Sequence, residues 1–468
     1  MLSPVPEDAR FARLLLGLAL ATRLAWVIAV HPAEEAVFSD MAHYVARAQQ
    51  LASEGVVLGE RSLAWQAFGT HTLLAIPLWL IGPGSDAALE LAGLLWAGMA
   101  ALTVVLTHRL AHAALPERWG VWPPRCVGLV ALVWLPLLSH AGFFVSETPY
   151  ACALTAATLA CVRLVEGRAR PLAAGSVAAL AFVLRPQAGL FFALIFALWL
   201  IDRVARRHGR PAAFEHVGAR EAALFAAPLV LALAVSLVRF WLHTGYFGSV
   251  AESATMNLTA GRCHNIVTQA FADADALARS DAEQSTLDGR RVSLPGFRAL
   301  GQRDDARLLS LRPALGHESI KFVGALGDPD IHRAIRARCY AATGVSGQLH
   351  YAFVNASLLW FVARPWPESS DARHPELLRP SLRFRDLAAM LAPLGLLGML
   401  LALAGWRRDA KLAIVALQVL SLVIVSALVF GAPRLRVPHD PALFVLMAGA
   451  IGWSFERRFR SRPASAVT

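Results

Sequence analysis

Lysine is nearly missing from this sequence. Only Lys321 and Lys411 occur among 44 Lys and Arg residues, so the net charge of +11 rests on arginine. Charge of any kind is scarce. It makes up 16% of the 468 residues, against roughly a quarter in a soluble domain, which excludes an ordinary soluble globule. Cysteine is sparse too, and no CxxC pair joins any of Cys126, Cys152, Cys161, Cys263 and Cys339. The first three fall in or beside apolar blocks, where cysteine packs as a small hydrophobe. Cys263 and Cys339 share a long polar loop and are the candidates for a disulfide. A small-residue cleavage site is lacking after the first apolar block, 11–30, which runs into His31-Pro32 and acidic residues. That block is expected to stay as a signal anchor. Internal repeats are absent, and the polar tail 461–468 is the one low-complexity tract.

What the sequence does have is apolar length. Hydrophobic residues make up 56% of the chain, and the mean hydropathy is +0.51. They come in blocks of about 20 residues, enough to cross a bilayer. Clear spans are expected at 11–30, 87–107, 124–143, 149–165, 221–241, 386–405, 411–430 and 440–455. Region 171–201 would run about 46 Å as one helix, too long for a hydrocarbon core of about 30 Å. Arginines flank both of its ends, so it reads as two short helices, roughly 22 Å each, meeting at Arg185-Pro186 beneath the outer surface. An arginine there is costly unless it faces a cavity or an anion.

Segment 64–82 is apolar enough to span, but counting it would put Arg109, Arg118 and Arg125 outside. It is expected to lie in the outer interface, or to dip in and return. The arginines gather at the ends of apolar blocks. This is the positive-inside pattern, not a nucleic-acid stripe, and no nucleic-acid partner is expected.

The expected fold is therefore an all-α polytopic membrane protein. It has about ten transmembrane helices, outer-face juxtamembrane helices, one large outer loop, and both termini cytoplasmic. Residues 1–242 would form a transmembrane core with a first outer loop at 31–86. Residues 243–385 would form the large extracytoplasmic loop, with an amphipathic stretch at 345–363. Residues 386–468 would supply the last helices and a cytoplasmic tail.

Chemistry gathers in five outer-face clusters. In FSDMAHYVARAQQ, Asp40, His43, Tyr44 and Arg47 stand at i, i+3, i+4 and i+7, one face of a helix. The plain alternative is that Ser39 or Asp40 only caps that helix. In FFVSETPYA, Glu147 lies between apolar runs where a carboxylate is expensive, although it could be part of a helix cap. LRPQ carries the sunken Arg185, whose plain alternative is snorkelling to headgroups. GAPRLRVPHDP holds Arg434, Arg436 and His439 in a tight outer turn that breaks the charge rule, which points to an anion or to lipid headgroups. NLTAGRCHNIV holds Arg262 and His264, a weak phosphate signal. Asn257 and Asn355 head formal glycosylation sequons. Two carboxylates with convergent cations at membrane depth suit one kind of chemistry. The cations bind a lipid-linked phosphate while a carboxylate takes a proton from an attacking hydroxyl.

These motifs resemble the glycosyltransferase C (GT-C) superfamily, nearest to bacterial protein O-mannosyltransferases and lipid A aminoarabinose transferases. The resemblance rests on Ser39-Asp40 with His43-Tyr44 after the first span, on Ser146-Glu147-Thr148-Pro149, on Leu184-Arg185-Pro186 and on the turn 433–438. It covers most of the transmembrane part, and loop 243–385 matches nothing in it. It implies inverting transfer of a sugar from a polyprenyl-phosphate donor to a glycan, lipid or protein acceptor, at the outer face of the inner membrane. Asp40 would be the base, with Glu147 supporting the site or a divalent ion such as Mg or Mn. Arg185, Arg434 and Arg436 would hold the phosphate, with His43, Tyr44 and His264 as further substrate contacts. Ser39 stands where protein mannosyltransferases carry a second acid, which weakens the metal expectation. A transporter or lipid flippase, and a non-catalytic scaffold subunit, are the rival readings. The lack of an inverted repeat counts against the transporter. The scaffold predicts that Asp40 and Glu147 are dispensable.

Overall fold

The computed structural model describes residues 6–210, 212–264, 266–271, 275–276, 318–323, 325–360 and 378–460. Helices dominate it. The first, α1 (Pro6–Ala25), ends in a π-helical turn, Trp26–Val30. The segment after it holds α2 (Asp40–Glu54) and α3 (Gly69–Ile81). After these come α4 (Asp86–Ala114), the bent pair α5 (Trp122–Val133) and α6 (Leu135–Ser139), α7 (Glu147–Val165), α8 (Pro171–Leu184), α9 (Ala188–Arg207) and α10 (Ala219–Thr244). Among the described residues, seven helices are long and apolar enough to cross a membrane, and eight if the bent pair counts as one span. The chain is thus a multi-pass membrane protein with an all-α body. About ten spans were expected; the segment 124–143 is a helix pair bent by 53°, and 171–184 gives a shorter apolar helix of 14 residues.

The pair at 171–201 departs from the expected symmetry. Helix α8 has 14 residues and α9 has 20, so α8 reaches about 21 Å and α9 about 30 Å, a full core thickness. The break falls at Arg185, where the backbone is extended (φ −146°, ψ 107°). Pro186 disfavours helix in the residue before it, which explains the break. Segment 64–82 yields only the 13 helical residues of α3. That length, about 20 Å, is too short to span. Its Thr70 and His71 are buried against the protein.

Lipid-facing surfaces follow from the helix faces. On α10, Val230, Leu231, Val235 and Val238 are exposed, while Ala222, Phe225, Ala232 and Ser236 turn inward. Small residues let the inner helices close up. A side chain at Gly69 would come within 2.6 Å of the Val183 carbonyl, so α3 starts directly against the end of α8. That contact seats the Arg185 turn beside the segment that joins α1 to α4.

The long loop adds the only strands among the described residues. It begins with α11 (Ser253–Arg262), followed by β1 (Ile266–Phe271), which pairs in parallel with β2 (Glu318–Val323), Ile266 opposite Glu318. Next comes α12 (Pro329–Leu358), broken at Gly344 by a left-handed φ of 59°. Cys263 and Cys339 form a disulfide that ties α11 to α12. Residues 277–317 and 361–377 lie outside the described residues. Helices α13 (Leu378–Ala404) and α14 (Ala410–Leu428), a short turn α15 (Pro433–Arg436) and α16 (Asp440–Arg460) complete the chain. The loop is fastened to the body. Glu252 pairs with Arg61 at 2.5 Å, the backbone N–H groups of Glu252 and Ser253 donate to the carbonyls of Ala64 and Trp65, and Arg262 donates to the Ala427 carbonyl.

Candidate functional site

The start of α2 is strained into place. Ser39 is the one non-glycine with positive φ among the described residues (φ 50°, ψ −127°). Such a conformation costs about 1–3 kcal/mol and is kept where surroundings enforce it, often at functional sites. Ser39 holds the N-cap position without a side-chain cap bond. Asp40 looks elsewhere: its Oδ2 accepts from Arg434 Nη2 at 2.9 Å.

Glu147 opens α7 and is 1% exposed. Its Oε1 accepts from Arg185 Nη2 at 2.6 Å and faces Arg434 Nε at 3.1 Å. Arg185 Nε also donates to Ser146 Oγ at 2.8 Å, and its guanidinium lies 5.8 Å from the centre of the Tyr150 ring. Asp40, Arg434, Glu147 and Arg185 therefore form one continuous chain of alternating charge. It draws on α2, α15, α7 and the α8–α9 break, segments far apart in sequence. Burial works against the Arg434 charge, but Glu147 and Asp40 outweigh it and hold its pKa above the usual arginine value. Burial, then the Asp40 carboxylate, raises the Tyr44 phenol above its ordinary value.

Two acids and two arginines balance, yet the cluster keeps spare capacity. Arg185 Nη1 is buried and meets no hydrogen-bond partner among the described residues. The Asp40 side chain is 31% exposed. Arg185 thus has a carboxylate partner, where its sequence neighbourhood pointed to a ligand alone. No described group of three or more His, Cys, Asp or Glu side chains suits a metal ion. Between Asp40 and Glu147, where a divalent ion would bridge, stands the guanidinium of Arg434. The residues present do not fit Mg or Mn.

The other expected residues divide. Tyr44 is buried beside the cluster, whereas His43 on the same helix is exposed. Arg436 is turned to a different partner set: Asp440 at 3.0 Å and the Leu359 carbonyl at 3.3 Å. Asp440 in turn accepts from Trp134 Nε1 at 2.7 Å. His264 stacks on Tyr351, ring centres 4.1 Å apart, and no described contact joins it to Asp40 or Glu147. Sequence reasoning missed Ser146 and Tyr150 as supports of Arg185, although both lie in the FFVSETPYA run.

Fold and site together define a polytopic membrane protein with an acid–arginine centre at one end of its helix bundle. Comparison of the fold adds the second step. Solved structures of Archaeoglobus fulgidus oligosaccharyltransferase match it. The apo form does so with a TM-score of 0.51 and 11% identity, over 96% of this chain and 51% of that one. The complex of AglB with an inhibitory peptide and a dolichol-phosphate matches with a TM-score of 0.51 and 12% identity, over 99% and 53%. The chain spans about half the length of these relatives. ArnT from Cupriavidus metallidurans, in the apo state, aligns at 16% identity over 95% of this chain and 78% of that one, with a TM-score of 0.35. No protein-family model and no curated protein matches the sequence. At such identities the likeness shows the fold alone: the chain shares the helical membrane architecture of that oligosaccharyltransferase.

Proposed function

We propose that this protein moves a glycosyl group from a polyprenyl-phosphate donor to an acceptor at the extracytoplasmic face, with inversion, from the inner membrane. The observation that carries the reading is the convergence of Asp40, Arg434, Glu147 and Arg185. In the transfer, the acceptor oxygen attacks the anomeric carbon, the bond from that carbon to the phosphate oxygen breaks, and the hydroxyl proton passes to Asp40. With Oδ2 held by Arg434, Oδ1 is the oxygen that takes the proton. The departing phosphate keeps the electron pair, and Arg185 and Arg434 meet its charge through forked, charge-assisted bonds. Glu147 is too enclosed to be the base. Its role is to hold both guanidiniums in position, as preorganised stabilisation of charge requires.

The test is transfer by the purified protein from a labelled polyprenyl-phosphate sugar. Asp40→Asn is expected to lose about 10²–10⁴-fold of the rate while still binding donor. Arg185→Lys should bind a polyprenyl-phosphate analogue more weakly, because it loses the fork, and Arg185→Ala more weakly still. An Asp40→Asn variant with more than about a tenth of the activity would remove the base.

A further inference from the structure

A second group of cations lies where α2, α3 and α10 meet, and the reacting cluster does not use it. Arg47 is 6% exposed. Its side chain donates from Nη1 to Gln66 Oε1, at 3.1 Å. Arg239, from α10, grips the same residue through the Gln66 backbone carbonyl at 3.2 Å, and donates to the Leu63 carbonyl as well. The Phe68 ring lies 5.6 Å from its guanidinium. The two arginines are close enough to repel.

Neither guanidinium has a carboxylate within ion-pair distance among the described residues. The acids in electrostatic reach of Arg47 are Asp40, Glu60 and Glu252, and each is engaged elsewhere. Asp40 is held by Arg434 and Glu252 by Arg61. Glu60 accepts from Gln50 at 2.7 Å and Ser62 at 2.6 Å. Unused polar atoms surround the pair. Arg239 Nη1 and His71 Nδ1 are buried and meet no hydrogen-bond partner among the described residues. His71 is 6% exposed. Burial, then the field of Arg239 and Arg47, pushes its pKa down to about 3, so it stays neutral and adds a polar contact without charge.

Buried like charges without a counter-charge are strongly unfavourable, and an arriving anion would relieve the cost. Position decides which anion. A donor phosphate must lie beside the carbon attacked near Asp40, whereas Arg47 stands seven residues further along α2, on the order of 10 Å away.

We propose that Arg47 and Arg239 form an acceptor subsite for an oxyanion, a phosphate ester or carboxylate, carried on the order of 10 Å from the hydroxyl that Asp40 activates. The acceptor is then an acidic molecule. This rests on the glycosyl-transfer reading above.

The experiment follows binding of glycerol phosphate and of undecaprenyl phosphate by phosphorus NMR line broadening, with the full chain in dodecyl maltoside, a phosphorus-free detergent. Arg239→Gln should weaken glycerol phosphate by about tenfold or more and leave undecaprenyl phosphate nearly unchanged. Arg185→Lys should do the reverse. Arg239→Lys, which keeps the charge and much of the packing, guards against a folding failure and should weaken glycerol phosphate severalfold. Equal glycerol phosphate binding in wild type and both Arg239 variants, or none in wild type, would overturn the subsite and leave these arginines as braces for Gln66. Loss of undecaprenyl phosphate binding in Arg239→Gln would hand the site to the donor and also overturn the proposal. An Arg185→Lys variant with unchanged undecaprenyl phosphate binding would count against the donor reading alone.

Discussion

Glu147→Gln separates the two roles a carboxylate could have at this centre. Glu147 Oε1 serves Arg185 at 2.6 Å and Arg434 at 3.1 Å from a side chain only 1% exposed. Glutamine keeps the shape and one acceptor oxygen but removes the charge, taking the cluster from balance to a net of about one positive charge. Breaking a buried pair by removing one partner costs about 3–5 kcal/mol. Asp40 still compensates Arg434, so the lower end, about 3 kcal/mol, is expected here. For a chain of this size that corresponds to a melting shift of roughly 3 °C. The assay is thermal denaturation in detergent of wild type, Glu147→Gln, Arg185→Gln and the double variant. The double variant should be less damaged than the sum of the singles, because the orphaned guanidinium is gone. Additive losses, or a Glu147→Gln protein as stable as wild type yet unable to transfer, would refute the holding role and make Glu147 a direct participant.

Three further outcomes are expected. Reduction, or Cys263→Ser with Cys339→Ser, should loosen the long loop to proteolysis, since a cross-link over a separation of 76 residues contributes about 2–4 kcal/mol; unchanged protease resistance would make that bond incidental. His264 sits against Tyr351 with its pKa lowered to about 4, mainly by burial. Between pH 6.5 and about 4 the unfolded loop binds a proton that the folded loop does not. Loop stability should therefore be full above pH 6.5 and fall as pH drops through that window, and His264→Phe should flatten the profile of protease resistance. Cysteines introduced at Gly59 and Leu115 should label from opposite sides of the membrane, and labelling from one side would show that 64–82 crosses it.

Much of the membrane body was legible because bilayer thickness imposes length on apolar runs, and arginine reports their ends. The break at Arg185 was legible for a second reason: Pro186 constrains the residue before it. The inequality of α8 and α9 was not, since α9 stays helical beyond the apolar run, through Asp202 to Arg207. At the site, cost was the readable signal. Glu147, Arg185 and Arg434 each looked expensive in its local sequence, Asp40 stood out on a polar helix stripe, and the four met. Arg436 looked equally expensive, but its partner Asp440 lay four residues on, inside the same turn, and absorbed it. His43 shared the stripe of Tyr44, yet a helix face is wide and only Tyr44 and Arg47 turned inward. Arg239 gave no signal, because an arginine near the end of an apolar helix reads as an anchor. Its pairing with Arg47 through Gln66 joins segments 173 residues apart and is a product of folding alone.

The most direct test of a polyprenyl-phosphate glycosyl transfer centred on Asp40 is mass spectrometry of cell-envelope glycans from a strain lacking this gene. It should be complemented with wild type, with Asp40→Asn or with Glu147→Gln at matched membrane levels. A transferase of this kind predicts that one glycoform disappears on deletion, returns with wild type, stays absent with Asp40→Asn and returns only weakly with Glu147→Gln. An unchanged glycan profile on deletion, or full restoration by Asp40→Asn, would contradict it.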